Sequence, residues 1–275
     1  MLRPAQLCLS CRIPVRRTLA LCEACEADLP WQRPGCQRCG VSPEDSSLLS
    51  APGFSSTAES APQRGQEPGQ CPASGTLATD TCQNASIGQI CLNCQHSPPA
   101  FDRCIPLFAY QQPVSGMINR FKQHAGFSEA RCLGLLMRAA FRQFYLEHDH
   151  PPPAYLVPVP LHPGRLRQRG FNQALLLCNY ISGSSGIPVL RHACERRPSQ
   201  HSQRGLGAQA RHLNMQGAFY HGTQAHLTAG QHIAIIDDVV TTTATVNEMS
   251  GVLRQSSTSW PGAVRIDIWS IARAN

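Results

Sequence analysis

The residues best suited to chemistry stand in one run, Asp237-Asp238-Val239-Val240-Thr241-Thr242-Thr243-Ala244-Thr245, preceded by the apolar His232-Ile233-Ala234-Ile235-Ile236. Two adjacent carboxylates can accept hydrogen bonds from vicinal sugar hydroxyls, or hold a hydrated Mg2+, which prefers a few carboxylates together with substrate oxygens. The hydroxyls that follow, with the backbone N–H groups of a turn opening a helix, suit a phosphate. Those N–H groups lack intrahelical partners and lie at the positive end of the helix dipole. An apolar strand, an acidic pair and a hydroxyl-rich turn together describe a site for a phosphorylated sugar. A strand ending in a turn with an Asp cap and surface Thr is the simpler reading, and it leaves the hydroxyl run unexplained. Asp237 and Asp238 are thus the candidate catalytic pair, and Thr241, Thr242, Thr243, Ala244 and Thr245 the candidate phosphate loop.

A second run extends from Val157 through His162-Pro163-Gly164-Arg165-Leu166-Arg167-Gln168-Arg169 to Gly170-Phe171-Asn172-Gln173. Its three arginines at alternate positions precede a turn and a helix start, and guanidinium groups there suit a diphosphate, which they grip through paired hydrogen bonds. A third run, Arg197-Pro198-Ser199-Gln200-His201-Ser202-Gln203-Arg204-Gly205-Leu206, is polar and rich in chain breakers, as in a lid over a substrate or an ordinary surface loop. Eight arginines and one carboxylate, Glu195, lie between Tyr155 and Met215, and the net charge of +7 rests almost wholly on Arg because Lys122 is the sole lysine. Unless it is merely a solvated basic surface, such a stretch calls for an anionic partner, either a phosphorylated metabolite or a nucleic-acid backbone.

Four C-x-x-C pairs stand toward the N-terminal end of the 275 residues: Cys8/Cys11, Cys22/Cys25, Cys36/Cys39 and Cys91/Cys94. Each pair presents two thiolates to one ion, and two pairs complete a tetrahedral zinc site. Sequential pairing gives one zinc Cys8, Cys11, Cys22 and Cys25, and a second zinc Cys36, Cys39, Cys91 and Cys94. An interleaved pairing has the same spacing and stays open. No thioredoxin-like strand and helix surround any pair, which argues against a redox motif. Both zincs read as structural, supplying folding energy to a segment too small to hold itself together. Cys104, Cys132, Cys178 and Cys194 are isolated in apolar settings and read as buried core thiols.

Positioning these groups requires a cysteine-rich region over 1–100 and an α/β domain over 101–275. Val41 to Gln89 is rich in Ser, Pro, Gly and Gln and reads as a disordered insertion in which Cys71 and Cys82 are incidental. Beyond it the patterning predicts strands at Leu107–Tyr110, Tyr155–Val159, Val189–Ala193, His232–Ile236 and Ala263–Ile271. Helices are predicted at Val114–Gln123, from a Ser128 cap to Tyr145, at Asn172–Ile181, Leu206–Leu213 and Thr245–Gln255. Strands alternating with helices imply a mostly parallel sheet with ligands at the carboxyl ends of its strands. The N-terminus lacks the apolar core of a signal peptide, and no stretch of membrane-spanning length is free of charge, so a cytoplasmic protein is expected.

The acidic pair with its Thr run resembles the 5-phosphoribosyl 1-diphosphate (PRPP) loop of type I phosphoribosyltransferases. Thr243 stands where that motif usually has Gly, whose freedom at positive φ brings backbone close to phosphate, whereas a β-branched residue is strained there and crowds the loop. Together with the Arg-Gly-Phe-Asn-Gln run and the cysteine pairs, the chain resembles the ComF, or GntX-like, family. The resemblance implies cysteine knuckles joined to a type I phosphoribosyltransferase-like domain. It also implies that PRPP is bound with Mg2+, with Arg165, Arg167 and Arg169 on the diphosphate and Lys122 at a family lysine position. The family link further implies competence and use of external DNA, with single-stranded DNA or competence proteins as partners. The resemblance allows either a Mg2+-dependent phosphoribosyl transferase or, as the alternative, a non-catalytic protein that binds single-stranded DNA or the competence machinery, on which the PRPP site is a sensor or a relic.

Overall fold

The computed structural model describes residues 6–42, 90–123, 126–147, 151–198, 217–224, 227–228, 230–255 and 264–274. The expected insertion after Ser42, with Cys71 and Cys82, the loop beyond Pro198 and the helix expected at Leu206–Leu213 lie outside the described residues. In chain order the elements are β1 (Gln6–Leu7), β2 (Pro14–Val15), α1 (Glu23–Ala27), α2 (Leu92–His96), β3 (Arg103–Ala109), α3 (Val114–Phe121) and α4 (Phe127–Glu147). They continue with β4 (Tyr155–Pro158), α5 (Pro163–Arg169), α6 (Gln173–Ser185), β5 (Cys194–Arg196), β6 (Phe219–His221), β7 (His232–Val240), α7 (Ala244–Gln255) and β8 (Arg265–Arg273).

Four parallel strands in the order β3-β8-β7-β4 form the central sheet, flanked by helices as the alternating pattern predicts. Both faces are covered, so the β7 strand reads as an unbroken apolar run rather than an alternating one. Ile233 and Ile235 pack with Val246, Met249 and Leu253 of α7. Ala234 and Ile236 point the other way, into a core with Met117 and Ile118 of α3, Leu133 and Met137 of α4, and Leu177 and Ile181 of α6. Period-two alternation of a strand produces this division.

Several boundaries differ from expectation. The strand expected at Val189–Ala193 is an isolated bridge between Val189 and Leu156, and the pairing residues come later, Cys194–Arg196 antiparallel to β6. Helix α4 begins at Phe127, with the Ala130 amide bonded to the Gly126 carbonyl at 2.9 Å, so Ser128 lies inside its first turn rather than capping it. The strand expected to end at Ile236 runs on to Val240 and takes the acidic pair with it.

The cysteine-rich segment shares a core with the sheet domain: Cys8, Val15, Leu21 and Leu29 are buried in the cluster that holds α3 and α4. Pro30–Gln32 lies along the edge strand β3. The Gln32 amide donates to the Leu107 carbonyl and the Ala109 amide to the Pro30 carbonyl, both at 2.8 Å, and Trp31 packs on Phe108 with ring centroids 4.6 Å apart. An otherwise open edge is thereby covered. At the opposite end of the sheet from the acidic pair, Asp267 is buried and accepts from Tyr145 Oη at 2.9 Å. It also meets His232 Nε2 at 2.9 Å, while Trp269 Nε1 donates to Tyr145 Oη at 3.2 Å.

Candidate functional site

Asp237 and Asp238 lie within the strand β7, shortly before the loop, so alternation sends their side chains to opposite sides. Asp237 lines a small pocket with Val239, Val240, Thr241, Thr243, Ala244, Thr245 and Val246. Asp238 instead pairs with Lys122, Nζ to Oδ2 at 3.0 Å. Each carboxylate is steadied by the next amide, Asp238 N on Asp237 Oδ1 at 2.8 Å and Val239 N on Asp238 Oδ1 at 2.9 Å. Burial first, and then the charge of Asp238, raise the Asp237 carboxyl well above its ordinary range. A half-buried acid beside a like charge favours ligands that donate hydrogen bonds or bring a cation.

The loop is residues 241–243, and α7 begins at Ala244. Thr243 adopts φ +62°, the left-handed conformation that a β-branched residue takes only under constraint. Its hydroxyl donates to the Thr242 carbonyl at 2.6 Å, and its own carbonyl accepts the first helical bond, from the Asn247 amide at 2.8 Å. The loop thus has the backbone shape that glycine would give it, in spite of the residue present. Thr241 and Thr242 are exposed, and Thr245 is half-buried in the first turn of α7.

The arginine run departs from expectation. Arg165, Arg167 and Arg169 lie on α5, a short helix capped by His162, whose Nδ1 accepts from the Gly164 amide at 3.1 Å. On a helix, residues four apart share a face and residues two apart do not. Arg165 and Arg169 therefore share a face and Arg167 lies away from them, exposed. Arg169 is half-buried, donates Nη1 to Gln173 Oε1 at 3.2 Å, and lies close enough to Asp238 and Arg165 to feel both charges. Gly170 ends the helix at φ +78°, and Asn172 caps α6 by accepting from the Ala174 and Leu175 amides at 2.9 and 3.4 Å. Asn172 Nδ2 also donates to the Val159 carbonyl at the end of β4, at 3.0 Å. Phe171 stacks on Phe121 with centroids 6.1 Å apart, which fixes the end of α3 where Lys122 follows. The Gly-Phe-Asn-Gln run is largely a device for placing these two basic groups.

Arg196, at the end of β5, is a site neighbour the sequence did not single out. Its guanidinium sits over the Phe219 ring at 5.4 Å and feels the charges of Arg165 and Asp237. Its only sequence signal is its place just ahead of the lid-like run.

The cysteine pairs join sequentially: Cys8, Cys11, Cys22 and Cys25 form one cluster, Cys36, Cys39, Cys91 and Cys94 the other, with all sulfurs of a cluster within 4.8 Å of one another. Cys11–Cys22 and Cys39–Cys91 sulfurs are 3.7 Å apart. A tetrahedron with Zn–S bonds of about 2.3 Å has edges of about 3.8 Å, whereas a disulfide needs about 2.05 Å. Backbone amides of Cys22 and Cys91 point at the sulfurs of Cys8 and Cys36 at 3.4 and 3.3 Å. Hydrogen bonding from Cys39 draws the Cys36 thiol down to about 4, and the same contact raises Cys39. One thiolate is favoured at its neighbour's expense, and a dication would allow all four. The residues fit two zinc ions. Val41, placed in the insertion by its composition, belongs to the second knuckle and accepts from the Cys36 amide at 2.8 Å. Cys104, Cys132, Cys178 and Cys194 are buried free thiols, and burial pushes Cys104, Cys132 and Cys194 up to about 12, away from reactivity.

Residues 1–52 match the double zinc ribbon domain family. Competence protein F of Haemophilus influenzae is 35% identical over 186 residues, covering 68% of this chain and 79% of that protein. DNA utilization protein YhgH of Escherichia coli strain K12 is 30% identical over 183 residues, 66% and 77% of the two chains. Competence protein ComFC of Streptococcus pneumoniae is 26% identical over 197 residues, 70% and 79%. The chain belongs to the competence protein F (ComF) family, with a double zinc ribbon at its N-terminus and a parallel α/β sheet behind it. Among the described residues no helix is long and apolar enough to cross a membrane.

Proposed function

We propose that this protein binds PRPP together with Mg2+ at the carboxyl end of β7, in a type I phosphoribosyltransferase-like domain over 101–275 carried by the zinc-binding region over 1–100. The observation that carries this reading is the loop at 241–243, which takes positive φ at Thr243 at the N-terminus of α7 and beside Asp237. Thr241, Thr242, Thr243, Ala244 and Thr245 would hold the 5-phosphate through hydroxyls and amides. Asp237 and Asp238 would accept from the ribose hydroxyls. Arg165 and Arg169, with Arg196, would face the diphosphate. Two carboxylates, one of them already paired with Lys122, make no cage for a bare dication. They suit a Mg2+ that arrives on the diphosphate and keeps its waters. The metal would neutralise charge on the leaving diphosphate, and transfer of the phosphoribosyl group to a base or amine is the matching reaction class.

Adding PRPP and Mg2+ at about a hundred times the dissociation constant should raise the melting temperature by about 5 °C. Asp237→Asn combined with Asp238→Asn should remove the shift. Absence of any shift in the wild-type protein would sink the reading.

A second reading is favoured by the β5–β6 ribbon, where Arg197 stacks over Tyr220 at 5.3 Å with Tyr220 36% exposed, and where the neighbouring Arg196 feels the charge of the exposed Arg165. Aromatic and guanidinium planes beside basic groups suit single-stranded nucleic acid. The names of the relatives, competence protein and DNA utilization protein, support a link to competence and the use of DNA. Retention of a labelled single-stranded oligonucleotide on a filter should fall with salt and with Tyr220→Ala. No retention at any salt concentration discards this second reading alone.

A further inference from the structure

The second cysteine cluster is fastened to both flanks of the phosphate loop. On one flank Arg273, only 7% exposed, donates Nη1 to the carbonyl of the cluster residue Cys39 at 2.6 Å. Arg273 closes β8 opposite Val240, and the next amide, Ala274 N, bonds the Val240 carbonyl at 2.9 Å. Val240 is the residue immediately before Thr241. On the other flank the chain leaving Cys94 reaches Ala100, whose amide donates to Asn247 Oδ1 at 2.7 Å. Asn247 is the residue whose own amide holds the Thr243 carbonyl. Arg254, further along α7, binds the same segment through the Ala100 carbonyl at 2.6 Å and the Asp102 carboxylate at 2.7 Å. Between these ties the knuckle rests directly on β3. Gly40, at φ +72°, leaves no room for a Cβ, which would meet Pro106 Cδ at 2.9 Å and the Cys104 carbonyl at 3.1 Å. The first cluster is anchored elsewhere, through Cys8 and Leu21 in the core under α3 and α4.

A β-branched residue persists at positive φ only where its surroundings over-determine it. The two ties supply that constraint: one holds the strand end ahead of the loop, the other the helix start behind it. Given the PRPP reading above, we infer that Arg273 and Asn247 are positioning residues that couple the second zinc to the phosphate loop, while the first zinc serves the fold alone. Coupling of this kind is reciprocal. Zinc in the second cluster holds the loop for its ligand, and the ligand in turn tightens that zinc.

The test is an equilibrium competition between the full-length zinc-loaded protein and a zinc-selective chelator, with and without PRPP plus Mg2+. PRPP should raise the apparent affinity of one of the zincs about tenfold and leave the other unchanged. Arg273→Ala should abolish that selective effect and weaken PRPP binding in calorimetry about tenfold, with zinc content retained. Arg273→Lys keeps a donor and should recover part of both. Asn247→Ala gives an independent reading should Arg273→Ala fail to fold. Arg265→Ala, at the far end of the same strand, should change neither quantity. The inference is overturned if the wild-type protein binds PRPP but both zincs respond alike, or if Arg273→Ala and Asn247→Ala bind PRPP as the wild type does. Failure of the wild-type protein to bind PRPP ends the PRPP reading itself, and this one with it.

Discussion

Thr243 is the residue at which local preference and tertiary demand disagree most. Left-handed backbone costs an L-residue about 1–2 kcal/mol, and here the loop imposes it on a β-branched side chain. Thr243→Gly should therefore stabilise the ligand-free protein by about 1 kcal/mol, less the extra entropy glycine gains when unfolded. A thermal melt below that of the wild type would contradict this. Asn172 is the converse case, a side chain whose type, position and contacts agree. It caps two amides of α6 and holds the Val159 carbonyl. Asn172→Ala should cost about 2 kcal/mol in denaturant unfolding, because a cap and a strand tie are lost together. The motif residues that act within a few positions of themselves, Gly170 as a stop and Asn172 as a cap, were readable from the sequence as a turn followed by a helix.

Among the elements, β7 shows how a boundary changes chemistry. Its apolar run was plain in the sequence, but its length was not, because β7 gains four further residues, Asp237 to Val240, through pairing with β8, most of them in register. The extension moves the acidic pair from the loop into the strand, with Asp237 toward the pocket and Asp238 toward Lys122. The other end of the same strands carries the buried Tyr145–His232–Asp267 network. Burial alone would raise the Asp267 carboxyl, but the hydrogen bond and charge of His232, together with Arg265 and Tyr145, hold it below the usual carboxylate range. A carboxyl depressed in the folded state adds stability above its unfolded pKa, and that stability is lost as pH falls through the folded value. Asp267→Asn should thus cost about 3 kcal/mol at neutral pH, and the difference from wild type should shrink below about pH 4. A difference that stays constant on acidification would refute the assignment.

At the level of the whole molecule, the zinc region is part of the core rather than an appendage. Cys8, Leu21 and Leu29 share a buried cluster with α3 and α4, and Arg273 reaches Cys39 from the last strand. Elemental analysis should find about two zincs per chain, as two four-thiolate sites require. Stripping them should melt ribbon and sheet together in one transition, since no apolar boundary separates the two. A sheet that melted normally without metal would show the core to be divisible.

The four cysteine pairs, the acidic pair with its hydroxyl run and the alternation of strands with helices were all visible in the sequence. Ligand spacing, capping and hydrophobic period act over a few residues and leave local patterns. Only the tertiary structure decided which cysteine pairs join, that Lys122 meets Asp238, that Arg196 comes within reach of the charge on Asp237, and that Arg273 ties Cys39 to the strand end ahead of the 241–243 loop. Those contacts join residues far apart along the chain. Their existence depends on how the sheet orders its strands and on which face each side chain takes, and no local spacing carries that information.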